Sequence, residues 1–245
     1  MIIVVNKKRK IESIQKEYPN AYILDLTSTS TAYAQKLSPF YPHMNIPVPF
    51  SPGYFATCVE AVWQGLKVFA GQDVDFDTFK NATMKNLKRT VRKFGMPLGH
   101  RKGVHGKELL GYYDARMLIY VPTYLYVLEH VPSVQTIVTK IKEQAAKSDI
   151  VFLDYNTNCD VRDISTPLSH AGLVKLYIEG NYPVYDPNIG PYSPTEIHAL
   201  KEGAKVIKKR SSSGKPKRKS AKQAKKEMKV GKAPSLFDTD TQTEP

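Results

Sequence analysis

Three polar residues of different chemistry, Glu60, Gln64 and Lys67, are spaced so that they would share one side of a helix. They fall at i, i+4 and i+7 within the segment 54–69, whose apolar residues recur with helical spacing. A carboxylate can stabilise a developing positive charge, and an amine can attack an electrophilic carbon. The alternative is a solvated stripe, the ordinary role of such residues on a helix surface. The segment therefore carries either a reactive site or an exposed face.

Aromatic residues accompany this polar face. Trp63 lies beside it, and Phe40 belongs to a loop, residues 27–53, that contains five prolines and leads into the predicted helix. Long ordered loops are often functional, and flat rings of this kind can stack on nucleotide bases. For both rings, a place in the hydrophobic core is an equal alternative.

A second polar concentration follows the apolar run 150–155, which we interpret as a buried strand. Asp160 lies in the polar loop behind this strand, and loops at the carboxyl ends of strands often hold ligands. We therefore treat Asp160 as a candidate site residue. A simple turn-capping role for its carboxylate is the even alternative.

Residue spacings typical of metal and cofactor sites are missing from the sequence. The six histidines include no pair at i, i+4, and there is no Cys-x-x-Cys. The sequence also lacks the phosphate-binding loop, the dinucleotide-binding glycine motif and the nucleophile elbow of serine hydrolases. We expect no metal and no cofactor.

The proline-rich loop and the predicted helix carry a family resemblance. They contain Ser38-Pro39-Phe40, Pro47-Val48-Pro49-Phe50 and Val59-Glu60-Ala61-Val62-Trp63-Gln64-Gly65-Leu66-Lys67. This order resembles the NADAR family, whose pattern is a Ser-Asn-Phe loop, an apolar stretch with proline, and a helix with Ser-Glu-His followed by Tyr/Phe-Gln-Ala-x-Lys. NADAR proteins are N-glycosidases of nucleotide-like substrates, which include ADP-ribosyl groups on guanine and an intermediate of riboflavin synthesis. The glutamate, glutamine and lysine keep the family's spacing.

The resemblance is strongest over residues 27–180 and implies roles for particular residues. Gly95 ends a stretch similar to the family's short basic-glycine element, and Asp154 and Asp160 lie in a stretch similar to its closing segment. The implied catalytic residues are Glu60, Lys67 and Asp160, and the implied substrate-binding residues are Phe40, Trp63, Gln64, Gly95 and Asp154. The implied reaction cleaves a ribose–base bond, with the Glu60 carboxylate stabilising an oxocarbenium-like centre and the Lys67 amine attacking the sugar.

The chain departs from the family pattern at three points. Ala61 stands where the family has histidine, Pro39 stands where it has asparagine, and no Trp-Gly follows Asp160. The resemblance therefore leaves the choice among the family's substrates open.

The composition is that of a folded domain with an appendage. Of 245 residues, 41% are hydrophobic and 24% are charged, which is ordinary globular usage. Apolar periodicity predicts the following elements: strands 2–5, 21–26 and 150–155; helices 8–17, 54–69, 113–129, 134–146, 167–179 and 194–209; one or two helices in 76–94; and a loop over 95–106. We predict a helix-rich α+β single domain with a small β-sheet over residues 1–209, followed by a disordered basic tail over 210–245.

Most of the net charge of +13 belongs to the tail. Residues 201–232 hold 14 Lys and Arg against two acids, whereas residues 1–200 hold 22 basic and 18 acidic residues, or +4. A dense lysine run predicts non-specific, salt-sensitive contact with DNA or RNA. The alternative function is accordingly a non-catalytic nucleic-acid-associated protein that binds through this tail. Its Lys-Lys-Arg and Lys-Pro-Lys-Arg-Lys runs also resemble nuclear-import patches.

We expect no membrane span, no membrane partner and no secretory signal. No apolar run approaches the roughly 18 to 20 residues of a membrane-spanning helix, and the charges near the N-terminus follow its apolar run, the reverse of a secretory signal. With only two cysteines, we expect an intracellular protein, cytoplasmic or nuclear if the source is eukaryotic.

Overall fold

Short strands and helices alternate along residues 1–189, the part of the chain that the structure describes. The computed structural model gives them in this order: β1 (Ile2–Asn6), α1 (Ile11–Glu17), β2 (Tyr22–Asp25), β3 (Ile46–Pro47), β4 (Phe55–Ala56), α2 (Val59–Gly65), β5 (Lys67–Phe69), α3 (Phe76–Lys80), α4 (Val91–Phe94), β6 (Pro97–Arg101), β7 (Leu109–Leu110), α5 (Tyr112–Ala115), α6 (Val121–His130), α7 (Pro132–Ala145), β8 (Ile150–Asp154) and α8 (His170–Ile178). This mixture of helices and small sheets confirms the predicted α+β class. The predicted helix 194–209, the domain boundary at residue 209 and the basic tail lie outside the described residues.

Strand β8 is the centre of a parallel sheet with the order β1-β8-β2. All of its residues are buried, as expected for a parallel strand that is covered on both faces. Asn6 at the end of β1 lies opposite Asp154 at the end of β8, and Asp25 at the end of β2 lies opposite Leu153. Polar residues therefore collect at the carboxyl edge of this sheet.

The two faces of the parallel sheet are covered differently. Val151 and Leu153 pack with Ile14 of α1, whereas Ile150 and Phe152 face the main core. This division follows from the alternation of side chains along a strand. Helix α1 thus closes one face of the sheet, and α8, whose buried residues belong to the main core, contacts β1 and β8.

Helices α6 and α7 form much of the main core. A π-helical segment, Arg116–Tyr120, joins α5 to α6. In α7, the residues Val134, Ile137, Val138 and Ile141 are buried, which is the i, i+3, i+4, i+7 pattern of an amphipathic helix. Both helices agree with the prediction from periodicity. Within residues 1–189, no helix is both long and apolar enough to cross a membrane.

Helix α2 is shorter than the predicted helix 54–69. It begins after Cys58, whose Sγ accepts a hydrogen bond from the Ala61 N–H, and it ends at Gly65. Lys67 instead begins β5 and pairs with His100 of β6. The run Lys67–Phe69 contains β-branched and aromatic residues, and strand pairing outweighs the helical periodicity there.

The predicted loop 95–106 is wrong, because it contains β6, the central strand of an antiparallel sheet with the order β5-β6-β7. The glycines and histidines of this stretch led to the loop prediction, and one of these glycines, Gly99, lies inside β6. Its φ is +153°, and a Cβ placed there would lie 2.6 Å from the Leu110 carbonyl oxygen. The glycine therefore permits a close approach of two strands, which is one of its known roles inside a sheet.

The segment 76–94 contains two short helices, α3 and α4, as predicted for one or two. Helix α3 packs against α2 at a glycine: a Cβ on Gly65 would lie 2.2 Å from Cε1 of Phe79, whose side chain is buried. The absence of a side chain at Gly65 therefore sets the distance between the two helices.

Replacing Gly65 by alanine is expected to lower the free energy of unfolding by about 1 to 3 kcal/mol, the usual cost of overpacking a core. Helix propensity alone predicts the opposite sign, a gain of about 1 kcal/mol. Urea unfolding decides between the two effects. Gln15→Ala on the exposed side of α1 is the control, with an expected change below about 0.5 kcal/mol. An unchanged or higher stability of Gly65→Ala would show that the Phe79 ring moves aside freely.

Candidate functional site

A cavity of about 390 Å³ opens where α2 approaches the carboxyl edge of the parallel sheet. Its volume is within the range of sites for small molecules. Six of the residues proposed from the sequence line it: Phe40, Glu60, Trp63, Gln64, Lys67 and Asp154. The structure therefore brings together most of the predicted site.

The side-chain amide of Gln64 connects Glu60 to Lys67. Its Nε2 donates to Glu60 Oε1 at 2.8 Å, and its Oε1 accepts from Lys67 Nζ at 2.9 Å. The same Oε1 also accepts from the backbone N–H of Arg89 at 3.0 Å. Because Oε1 accepts two N–H groups while Nε2 donates to a carboxylate, a flipped amide would lose all three bonds. The amide holds the carboxylate and the amine at fixed positions on one wall.

Burial separates the two interpretations of the polar face. Glu60 and Gln64 are only 7% and 5% exposed, which excludes a solvated stripe for both, and Lys67 is half-buried. Within residues 1–189, the Gln64 amide is the only hydrogen-bond donor to the Glu60 carboxylate. A carboxylate accepts more than one hydrogen bond, so Glu60 retains capacity for a ligand.

Trp63 forms the centre of an aromatic wall. The ring of His100 lies against it with centroids 3.8 Å apart, and Tyr112 and Tyr120 approach it edge-on at 5.9 and 5.7 Å. Lys67 Nζ is 5.8 Å from the centroid of the Trp63 ring, within the range of a cation–π contact. The wall thus presents flat apolar rings next to the polar groups of α2.

His100 was not expected from the sequence. Its side chain is 3% exposed, and within the described residues neither ring nitrogen has a hydrogen-bond partner. Burial, with the nearby charges of Lys67 and Arg89, holds the pKa of His100 well below its ordinary value. The ring is therefore a neutral imidazole at neutral pH.

Arg116 is a second residue that sequence reasoning missed. It is 2% exposed and lines the cavity. Its guanidinium donates to the carbonyls of Val161, Asp163 and Thr166 at 2.8 to 3.0 Å and lies 4.9 Å from the Tyr112 ring. The sequence signal was an arginine within an apolar helical pattern, which indicates a buried cation with a specific partner.

Asp154 ends β8 and forms a buried ion pair with His170. Its Oδ2 accepts from Ser169 Oγ at 2.7 Å and from His170 Nδ1 at 3.0 Å. The other ring nitrogen, Nε2, lies 2.9 Å from the Leu26 carbonyl. Because both nitrogens face acceptors, both must carry protons, so His170 is an imidazolium.

The pKa values of this pair follow from the same contacts. Burial raises the pKa of Asp154, but the charge of His170 and the hydrogen bonds outweigh it and bring the pKa down to about 2. Burial lowers the pKa of His170, but the Asp154 charge and the hydrogen bonds to Asp154 and Leu26 outweigh it and raise the pKa. The strand end therefore carries a fixed anion.

Two residues proposed from the sequence lie outside the cavity. Asp160 is exposed, and its Oδ1 accepts from the Arg162 N–H at 2.9 Å, as a turn-capping carboxylate does. Gly95 is exposed at the end of α4 with φ +78°, a conformation that favours glycine at a helix end. Neither residue lines the cavity, because the Asp160 carboxylate is exposed and caps a turn, and Gly95 ends α4.

Within residues 1–189, no group of three or more His, Cys, Asp or Glu side chains is arranged to hold a metal ion.

Together, the fold and the cavity define a helix-rich α+β domain with an aromatic-walled site at the carboxyl edge of a small parallel sheet. Residues 6–174 match the model of a family of unknown function, DUF6939, and the chain belongs to this family. The match runs from the end of β1 into α8 and includes every residue of the cavity wall. Neither the curated proteins nor the solved structures contain a match to the chain.

Replacing Asp154 by asparagine is expected to lower the free energy of unfolding by about 3 kcal/mol near pH 5.5, because it leaves a buried imidazolium without its counter-charge. The loss should shrink as the pH falls from about 4 towards the folded pKa of Asp154, about 2. It should also shrink as the pH rises through the raised pKa of His170, where the imidazolium loses its proton.

Urea unfolding of wild type and variant over this pH range measures the effect. Asp160→Asn is the matched control, since its carboxylate is exposed, and it should change the stability by less than about 0.5 kcal/mol. A loss in Asp154→Asn that is the same at every pH would contradict the ion pair.

Proposed function

We propose that the chain is an N-glycosidase that cleaves a ribose–base bond in an ADP-ribosylated base or a related nucleotide. The observation that carries the proposal is the position of Glu60 and Lys67 in one cavity, joined through the Gln64 amide at 2.8 and 2.9 Å. The resemblance to the NADAR family rests on the same three residues. Geometry and sequence pattern thus point to the same chemistry.

The cavity wall suits a nucleotide. Trp63 and Phe40 offer faces or edges on which a base can stack. The cations Lys67, Lys88 and Arg116 line the same cavity, where they favour the phosphates of a nucleotide. Against them stand the carboxylates of Glu60 and of Asp154, and the latter is already neutralised by His170.

In the proposed reaction, the bond between the anomeric carbon and the base nitrogen breaks, and its electron pair leaves with the base. The Glu60 carboxylate stabilises the oxocarbenium-like centre that develops. The Lys67 ammonium first gives up a proton to water. Its amine then forms a bond to the anomeric carbon and loses a second proton, which the departing base takes up. The sugar ring then opens to an imine. Water hydrolyses this imine, which releases the sugar and restores the amine.

The alternative function is a non-catalytic nucleic-acid-associated protein. It is supported by the charge of residues 201–232, which lie outside the described part of the chain. The two functions are compatible, because a basic tail concentrates a protein on nucleic acid and hence near modified bases. For either function we propose an intracellular location, because the chain contains only two cysteines.

Glu60→Gln and Lys67→Ala are each expected to lower turnover at least about 100-fold, because each removes a group that acts on the transition state. Glu60→Gln retains an oxygen that can accept from Gln64, so its thermal midpoint should stay close to that of the wild type. Borohydride should trap the imine on Lys67, which peptide mass spectrometry would locate. Lys16→Ala, an exposed lysine of α1, is the matched control.

The substrate survey covers ADP-ribosylated guanine, other ADP-ribose conjugates and riboflavin precursors, since Ala61 leaves the substrate open. Absence of turnover with all three classes would contradict the proposed function. If both variants instead melt early, Glu60 and Lys67 form a structural network rather than a reactive one.

A further inference from the structure

The positive charge of residues 1–200 is concentrated in one segment. Residues 78–107 contain nine Lys and Arg and no acid. The rest of residues 1–200 contains 13 basic and 18 acidic residues, a net charge of −5. The net charge of +4 over residues 1–200 therefore hides a basic segment and an acidic remainder. This separation of charge does not involve residues 201–232.

Four of these cations are exposed and close together in sequence: Lys85, Lys88, Arg92 and Lys93. Within the described residues none of them forms an ion pair, whereas Arg101 and Lys102 pair with Asp73 and Glu108. Four exposed charges of one sign repel each other. A partner of opposite charge would relieve this repulsion.

The same segment borders the cavity. Lys88, Val91 and Met96 line its wall, and we call residues 85–96 the rim segment. Helix α4 within it has no buried residue. Val91 and Met96 are 53% and 40% exposed, and the neighbouring Leu98 is 51% exposed. Basic and apolar side chains are therefore exposed together beside the opening.

Aromatic rings lie under the rim cations. Lys88 Nζ is 5.4 Å from the centroid of Phe40, and Lys93 Nζ is 5.0 Å from that of Phe94. Cations interleaved with aromatic and apolar side chains are the usual surface for a single-stranded nucleic acid, where the cations contact phosphates and the flat groups contact bases. An acidic protein or an anionic membrane would account for the charge but not for the adjoining base-sized cavity.

We propose that the rim segment binds a single-stranded nucleic acid and that one of its bases enters the cavity. Enzymes that act on a base within a strand must take it out of the stack, and a single strand lowers the cost of doing so. This inference rests on the proposed function and specifies its substrate as a base within a strand rather than a free nucleotide.

The test compares two triple variants of the full-length chain. K85Q/R92Q/K93Q removes three rim charges, and K10Q/K16Q/K147Q removes three exposed charges outside the cavity wall. Both are made in a background in which the basic residues of 201–232 are glutamine, so that the tail does not mask the effect. The probe is a fluorescent single-stranded oligonucleotide, and the readout is anisotropy over a range of salt concentrations.

The rim triple should raise the Kd about tenfold or more at about 50 mM salt. It should also lower the slope of log Kd against log salt concentration by about 2, the value for three phosphate contacts on a single strand, whereas the control triple should change the Kd less than about twofold. The charge-preserving triple K85R/R92K/K93R, made in the same background, should bind as tightly as that background without rim substitutions, which separates the effect of charge from an effect on folding. Ultraviolet cross-linking should label the rim segment.

Equal effects of both triples would overturn the inference, as would equally tight binding of duplex DNA. Binding of anionic phospholipid vesicles without binding of the oligonucleotide would assign the rim to a membrane instead. The binding assay is repeated with Glu60→Gln, because binding does not require turnover. Rim-dependent binding without turnover would reject only the proposed function, and turnover of free nucleotides with no rim-dependent binding would reject only this inference.

Discussion

The candidate site depends on the orientation of one buried amide. Gln64 lies where α2 ends and β5 begins, and its two ends bond to groups of opposite character, the Glu60 carboxylate and the Lys67 amine. An apolar residue of the same shape would leave Glu60 buried without a donor, which is costly in a low-dielectric interior. The amide therefore makes a buried carboxylate tolerable and sets its distance from the amine.

Arg89 fixes this amide in turn. Its backbone N–H donates to Gln64 Oε1, and its guanidinium donates to the backbone carbonyls of Gln64, Lys67 and Asp73. The rings of Phe69 and Phe94 lie 5.0 and 5.3 Å from the guanidinium carbon. Arg89 belongs to the rim segment, so the contacts that orient the Gln64 amide also attach the rim segment to the cavity wall.

Regular patterns in the sequence predicted the elements that depend on local periodicity. The apolar run of β8 and the amphipathic face of α7 are visible in the sequence because each element buries a fixed face. The end of α2 was not predictable, because Lys67 joins a strand through pairing with His100, a residue 33 positions away. The loop predicted over 95–106 was wrong for a similar reason. Gly99 lies inside a strand because β7 approaches it closely, and this contact cannot be read from the local sequence.

The candidate site shows the same limit. Spacing on α2 indicated Glu60, Gln64 and Lys67, since these residues are close in sequence. His100 and Arg116 reach the cavity through packing between distant elements. No local pattern marks His100, and the arginine within an apolar helical pattern at Arg116 indicates burial but not a place at the cavity. The sequence placed Asp154 in the predicted strand 150–155 and Asp160 in the loop behind it, and both were site candidates. Only the structure shows that Asp154, at the end of β8, is the one that lies at the cavity.

The carboxylates of Asp154 and Glu60 differ in how many hydrogen bonds they already accept from the protein. Asp154 accepts from the N–H groups of Tyr155 and Ala171 and from the side chains of Ser169 and His170, and its pKa of about 2 keeps it ionised. A carboxylate with four donors is a poor nucleophile and a poor base, because reaction would break those bonds. Glu60 accepts one hydrogen bond within the described residues. If one carboxylate acts on a bound sugar, the hydrogen bonding assigns that role to Glu60 and leaves Asp154 to hold α8 and the loop at Leu26 against the sheet.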